Sequence, residues 1–320
     1  MKKLLLLFSI ASSFSLTAGN FFRLTDYPVA ANAYAFLPAD DTNKTDASGN
    51  KNGFWIERTG AFDWEGYYVG GKREGTWAGY PVGLTMPSYI DNYHAGKKNG
   101  MSMSIDRAGY ISQIATYKDD SLDGVKRAFF TGGRLKSEEY YKNGQLNGKR
   151  TIYNSSNKVQ EDGFWVNGKR TGVARWYYSD GKVFAESTYK DGLMNGPSVS
   201  YYENGNKATT VNYVNDMQEG DFNEFYEDGK LKTKGTYVHN LEEGVWITYY
   251  ESGKIFETGK YVHGKRDGNW SQASEDGKTK VKLTYKAGTL VSGKEMQPMP
   301  IAPAPVTNPP ANNPPPKKGH

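Results

Sequence analysis

The sequence is poor in groups that do chemistry. It has four histidines and no cysteine in 320 residues, which excludes disulfides, zinc-thiolate and iron–sulfur sites, a thiol nucleophile and a lipid-bearing cysteine. His239 and His263 stand 24 residues apart at equivalent places in a repeated pattern. In stacked hairpins that separation is roughly 10 Å, too far for two ligands of one zinc ion. Both histidines, and His94 in a near-equivalent place, read as surface residues flanking turns. The carboxylate pairs Glu138-Glu139 and Glu242-Glu243 are adjacent in sequence, so on a strand their side chains point apart. No histidine is marked as the partner of a carboxylate in a nucleophilic triad. The expectation is therefore a non-enzymatic protein with no catalytic residue, no cofactor and no metal.

Charge gives a similar answer. The net charge is +5, but Lys2, Lys3, Lys317 and Lys318 supply most of it, and the body between them is nearly neutral. Nucleic acid is not an expected partner. Lys149-Arg150, Lys169-Arg170 and Lys265-Arg266 recur near turns and read as gatekeeping charges at a sheet edge, or as a weak basic rim.

What the sequence does contain is aromatic side chains and glycine: 24 tyrosines and 37 glycines, with hydrophobic residues at 37%. Glycines fall at Gly75, Gly100, Gly124, Gly148, Gly172, Gly196, Gly220, Gly244, Gly268 and Gly293, spaced by 24 residues in every interior step and 25 in the first and last. A fixed period of this size signals a repeat architecture. One unit, GVWITYYESGKIFETGKYVHGKRD from Gly244, holds an aromatic pair, a turn glycine, a second run and a second turn, and the turn glycine recurs along the chain, usually after Asp, Asn or Ser. Asn-Gly and Asp-Gly pairs supply the positive φ of tight hairpin turns, and Asn157 takes the glycine's place in the unit from Gly148. Two turns per unit leave two strands of about five to seven residues, one β-hairpin per repeat. The predicted fold is all-β, an elongated array of stacked antiparallel hairpins with a step of roughly 9.6 Å per unit.

The pattern G-x-W-x-x-Y-Y-x-[DN]-G-K with a later Y-x-x-G resembles the bacterial variant of the MORN repeat, from about Gly53 to Gly293. The resemblance implies an interaction repeat: relatives of this variant are often labelled antitoxin or immunity proteins, and eukaryotic relatives are linked to scaffolding and membrane association. Choline- and glucan-binding wall repeats have a similar aromatic flavour, with a shorter unit.

In a chain this poor in leucine and isoleucine, the rings must form much of the core. Two columns are defined by the aromatic pair. Phe129, Tyr153, Tyr177, Tyr201, Phe225 and Tyr249 form the first, and Phe130, Tyr178, Tyr202, Tyr226 and Tyr250 the second. Neighbours on a strand face opposite ways, so one column is expected to be more open. The first is the candidate interaction surface, fit for a protein partner or for stacking on a cell-wall glycan; peripheral membrane contact is a further expectation from the family.

Residues 1–19 read as a signal peptide, with a basic start, an apolar stretch and small residues near Ala18 and Gly19. The expected protein is exported, to the periplasm, cell envelope or medium. Residues 20–52 read as a non-repeat lead-in with a capping strand near Tyr34 to Leu37, residues 53–293 as the array of about nine or ten units, and residues 294–320 as a flexible proline-rich tail.

Overall fold

The computed structural model describes residues 41–297; the expected signal peptide, the expected capping strand near Tyr34 and most of the proline-rich tail lie outside them. Twenty-two strands occupy the described residues, which contain no α-helix. The chain divides into two compact units, residues 1–159 with 165–168, and residues 160–164 with 169–320.

Unit 1 contains β1 (Gly53–Thr59), β2 (Phe62–Val69), β3 (Lys72–Pro81), β4 (Tyr89–His94), β5 (Lys97–Ile105), β6 (Ile111–Lys118), β7 (Ser121–Phe129), β8 (Leu135–Lys142) and β9 (Gln145–Tyr153). Each strand pairs antiparallel with the next. Its largest apolar cluster joins Ile90, Met103, Ile105, Ile111 and Phe129. The next strand, β10 (Val159–Val166), is divided between the units.

Unit 2 contains β11 (Lys169–Tyr177), β12 (Val183–Lys190), β13 (Leu193–Tyr201), β14 (Lys207–Val214), β15 (Met217–Gln218), β16 (Gly220–Phe225), β17 (Leu231–Val238), β18 (Leu241–Tyr249), β19 (Ile255–Val262), β20 (Lys265–Ala273), β21 (Lys280–Lys286) and β22 (Thr289–Ser292). It repeats the same up-and-down ladder. Two buried clusters lie along it: Ala174, Trp176, Ala185 and Tyr189, then Trp270, Leu283 and Tyr285.

The two turns of each repeat differ in kind. At the second turn both central residues have positive φ, as in Asn143-Gly144 (49° and 78°) and His263-Gly264 (49° and 74°). This is the two-residue type I′ hairpin, whose twist matches that of its strands. At the first turn only the glycine is left-handed, as Gly181 is at 95°. The Tyr178 amide donates to Lys182 O and the Gly181 amide to Tyr178 O, which makes a three-residue loop closed by a G1 bulge. The preceding acid works through its side chain, with Asp180 Oδ1 accepting the Lys182 amide at 2.9 Å. Positive φ is thus supplied by both residues of the second turn and by the glycine alone at the first, where the acid before it is an Asx cap.

Eight of the ten lattice glycines lie inside strands, while Gly220 opens β16 and Gly293 follows the end of β22. All have positive φ, from 67° at Gly172 to 125° at Gly148. In most repeats they sit where the register with the preceding strand slips, for example between Ala115↔Lys126 and Tyr117↔Leu122 around Gly124. These are bulges inside the strands, which twist the sheet while pairing continues. Strands consequently run mostly to eight or nine residues, longer than the sequence pattern suggests.

Candidate interaction surface

Hydrogen bonds between repeats account for much of the conserved spacing within the chain. The residue before the lattice glycine reaches the next type I′ turn: Glu219 Oε2 accepts the His239 amide at 2.9 Å, and Glu243 Oε2 the His263 amide at 2.8 Å. Where the second turn residue is not glycine, its side chain reaches back, as Asp216 Oδ1 does to the Met194 amide and Asn240 Oδ1 to the Gln218 amide, both at 2.6 Å. His239 and His263 are therefore parts of turns. Exposed His94 pairs with Glu74 Oε1 at 2.9 Å, and this hydrogen bond raises its pKa above the ordinary histidine value.

The second aromatic column is a set of staples. The hydroxyls of Tyr178, Tyr202, Tyr226 and Tyr250 donate to the carbonyls of Tyr201, Phe225, Tyr249 and Ala273, at 2.6 to 3.0 Å. These rings lie just past their strand ends, inside the first turn, so strand alternation does not place them opposite the first column. In that first column, Phe129 is buried in the unit 1 cluster and Tyr153 is half-buried. In unit 2, Tyr177, Tyr201, Phe225 and Tyr249 are half-buried. Burial, with Glu186 accepting from its hydroxyl at 2.9 Å, raises the pKa of Tyr201. Three of these residues also give their carbonyls to the staples, so the column is tied into the array.

A third row, built from tryptophans and the late tyrosines, is the most continuous aromatic feature of unit 2. Phe222, Tyr237, Trp246, Tyr261, Trp270 and Tyr285 follow one another with ring centroids 5.1 to 5.9 Å apart, mostly edge to face. Burial pushes Tyr237 up to about 12. Glycine makes room for the indoles: a Cβ on Gly235 would stand 2.1 Å from Trp246, and one on Gly259 1.9 Å from Trp270. The guanidinium of Arg266 lies 4.5 Å above the Trp270 ring and pairs with Glu257 at 2.8 Å. Arg170 likewise covers Trp176 and Tyr189 and pairs with Glu161. In unit 1, Arg73 lies 4.1 Å over Trp77 and pairs with Glu57, and Arg150 lies over Trp165 and pairs with Glu139. The Lys-Arg pairs are thus not a basic rim: lysines 149, 169 and 265 are exposed, while the arginines turn onto rings.

Beside the type I′ turns of unit 2 runs a row the sequence reading passed over. Leu193, Val214, Val238 and Leu241 are each 38–45% exposed, with half-buried Met217 among them and half-buried Val262 beyond Leu241. Its signal is an aliphatic residue on each side of the second turn, as in Val214-Asn-Asp-Met217 and Val238-His-Asn-Leu241. In unit 1 a group of exposed apolar residues lies on the longer β3–β4 connection, at Val82, Leu84 and Met86, next to Tyr89, and others, among them Val69 and Val166, are exposed beside turns.

The fold and these contacts define an all-β hairpin-repeat protein whose period is set by bulges and caps. Residues 122–145, 170–191, 194–215, 218–239 and 242–263 match the MORN repeat variant, and over those stretches the chain is built of MORN-variant repeats. No curated protein sequence matches the chain. Among solved structures, a GtfA/B complex bound to UDP and GlcNAc is 13% identical over 35% of this chain and 22% of that one, with a TM-score of 0.17. A mutant of TarM from S. aureus is 15% identical over 41% and 21%, with a TM-score of 0.19. The Photorhabdus luminescens Tc holotoxin pore is 13% identical over 79% and 13%, with a TM-score of 0.14. The chain spans less than a quarter of each of these proteins, and the family match is the finding that bears on its fold.

Proposed function

We propose that this chain is an exported, non-enzymatic interaction module that holds a protein partner in the cell envelope. MORN repeats are generally protein- or membrane-binding modules, which supports the first part of that reading; the basic and apolar start of the sequence supports export. One observation carries the choice of surface. Backbone and ring groups along unit 2 are tied to the next repeat, whereas Leu193, Val214, Val238 and Leu241 stay exposed in a row along the turns. A row of this kind is what a repeat protein offers a partner.

The test is crosslinking and pull-down of the mature chain from an envelope extract, beside the Val214→Lys/Leu241→Lys variant. A discrete protein captured by the native chain and lost with the variant, whose circular dichroism is unchanged, supports the reading. Equal capture by both moves the surface elsewhere, and failure to capture any specific protein overturns the proposal.

A second reading, a glycan-binding module, is favoured by unit 1. Trp64 and Tyr89 stack at 6.0 Å and 16°, with Phe62 against Tyr89 at 5.2 Å, and Tyr89 is partly open to solvent. Sedimentation with purified peptidoglycan, abolished by Tyr89→Ala, is its expected outcome; no sedimentation eliminates it. An immunity role remains the family's suggestion, to be decided by protection in a toxin challenge.

A further inference from the structure

The face of unit 2 opposite its tryptophan row carries cations without acidic partners. Gly235, Gly259 and Leu283 stand across from Phe222, Trp246 and Trp270, so strand alternation turns the neighbouring Lys234, Lys260 and Lys282 to the other side of the sheet. Earlier in the chain the same lattice places hold matched charges: Glu138 and Glu186 stand across from Arg127 and Arg175 and pair with them at 2.6 and 3.3 Å. Lys234 and Lys282 take the places of those carboxylates, but across from them are Asn223 and Ser271, and across from Lys260 is Val245. All three lysines are exposed, and none forms an ion pair among the described residues. Asp221, across from Thr236 on the same face, offsets one of the three charges.

Between β18 and β21 this face is hollowed into a trough of about 500 Å³, whose lining includes Val245, Thr258, Lys260, Ser271, Lys282 and Thr284. Its aromatic lining residue, Trp270, is buried, so the trough offers no open ring for a sugar to stack on. Val245, 62% exposed, gives it an apolar floor. Strands β17, β19 and β21 each add one lysine and one threonine, as Lys234-Gly-Thr236, Thr258-Gly-Lys260 and Lys282-Leu-Thr284. The lysines therefore alternate from side to side of a line running transverse to the strands, with a threonine across the line from each. Successive lysines advance ~9.6 Å along that line, two strand spacings. An extended peptide rises ~3.3 Å per residue, so three residues cover ~9.9 Å, and after three residues its side chain points to the opposite side. Acids at every third residue match both the spacing and the alternation of Lys234, Lys260 and Lys282.

We propose that this trough, with Lys234 beside it in the preceding repeat, binds an extended acidic segment of a protein partner that carries Asp or Glu at every third residue. The lysines pair with its carboxylates, which fixes the register, and the hydroxyls of Thr236, Ser271 and Thr284 hydrogen-bond its backbone. The site is separate from the aliphatic row at Leu193, Val214, Val238 and Leu241, and shares with the preceding reading only that the partner is a protein.

The probe is a fluorescent, N-acetylated peptide, Asp-Thr-Thr-Asp-Thr-Thr-Asp, titrated into the full chain and followed by anisotropy. Salt should weaken its binding, and Lys260→Gln/Lys282→Gln, at two exposed positions, should raise its Kd about tenfold. A peptide of the same composition with the acids together, Asp-Asp-Asp-Thr-Thr-Thr-Thr, should bind several-fold more weakly. No binding at millimolar peptide, or equal binding of the two peptides, overturns the proposal. An equal loss in Lys265→Gln/Lys286→Gln, which removes exposed lysines beside the turns, also overturns it, because net charge alone then explains the binding. Val214→Ser/Leu241→Ser should leave the Kd unchanged, so that failure of the aliphatic row and failure of the trough are read separately; a loss there moves the peptide to the turns and overturns the proposal. Hyaluronate or phosphatidylglycerol vesicles held by Lys260 and Lys282 in preference to the peptide overturn it as well, assigning the trough to an acidic glycan or a lipid surface.

Discussion

Two stretches of unit 2 show how little the lattice asks of the face it builds. Around β12–β14 the inward contacts are small and polar: Ser187 meets Ser198 at 2.8 Å, and Ser200 meets Thr209 at 2.6 Å. Around β18–β21 the same lattice positions hold Gly259 for Ser187 and Trp270 for Ser198. Turns, bulges and tyrosine staples are alike in both. What differs is the filling, and it differs in pairs: an indole comes with a glycine across from it, a serine with a serine. Repeat stacking is thus set by the backbone lattice, and the face can change from a hydroxyl ladder to an aromatic one when both partners change together.

The sharpest test of that contrast is deletion of each filling. Trp270→Ala should destabilise its end of the array by about 3–5 kcal/mol, from lost burial and the cavity left behind. Ser198→Ala should lose about 1 kcal/mol, the worth of one hydrogen bond. Local hydrogen exchange and urea titration measure both, and similar losses would break the comparison.

Next comes transplantation. Ser198→Trp alone should lose about 1–3 kcal/mol from overpacking, and Ser187→Gly added to it should recover most of that loss, giving a coupling a double-mutant cycle can read. Additive effects would show that the glycine–tryptophan pairing is incidental. Tyr226→Phe should be milder still, losing about 1 kcal/mol through the staple to Tyr249 O. The control, Tyr249→Phe, leaves that acceptor carbonyl in place and should lose less.

The smallest effect is at the surface. His94 should titrate above the ordinary histidine value because of its hydrogen bond to Glu74, and Glu74→Gln should bring it down, as followed by NMR. A pKa raised on folding contributes stability below the unfolded histidine pKa that is lost as pH rises through the folded one. The Glu74 pKa is lowered, first by the Ala95 amide and then by His94, so its contribution is present above the ordinary carboxylate value and is lost as pH falls through the lowered one. Both groups are exposed, and the pH dependence should be slight.

The glycine lattice and the turn residues were legible in the sequence because backbone conformations with positive φ leave a strict residue signature. Period, hairpin content and fold class followed from them, and so did the separation of the carboxylates Glu138 and Glu139, which pair with Arg127 and Arg150. Less legible was the use made of each residue. The lattice glycines were visible as a period, but whether they break a strand or bulge within it depends on how the preceding strand pairs. Lys-Arg pairs were visible as charge, yet whether a guanidinium faces water or lies on an indole depends on the ring stacked beside it. The aromatic pair was visible as two columns, but the bulge between Thr248 and Tyr249 interrupts the alternation from which their faces were inferred.

Local sequence thus determined the repeat, its turns and its strands, because those depend on φ, side-chain size and short-range hydrogen bonds. Tertiary structure alone decided which rings became staples, which formed the ladder and which aliphatic residues stayed exposed. Those outcomes depend on contacts 9 to 24 residues away along the chain, between neighbouring strands and between one repeat and the next.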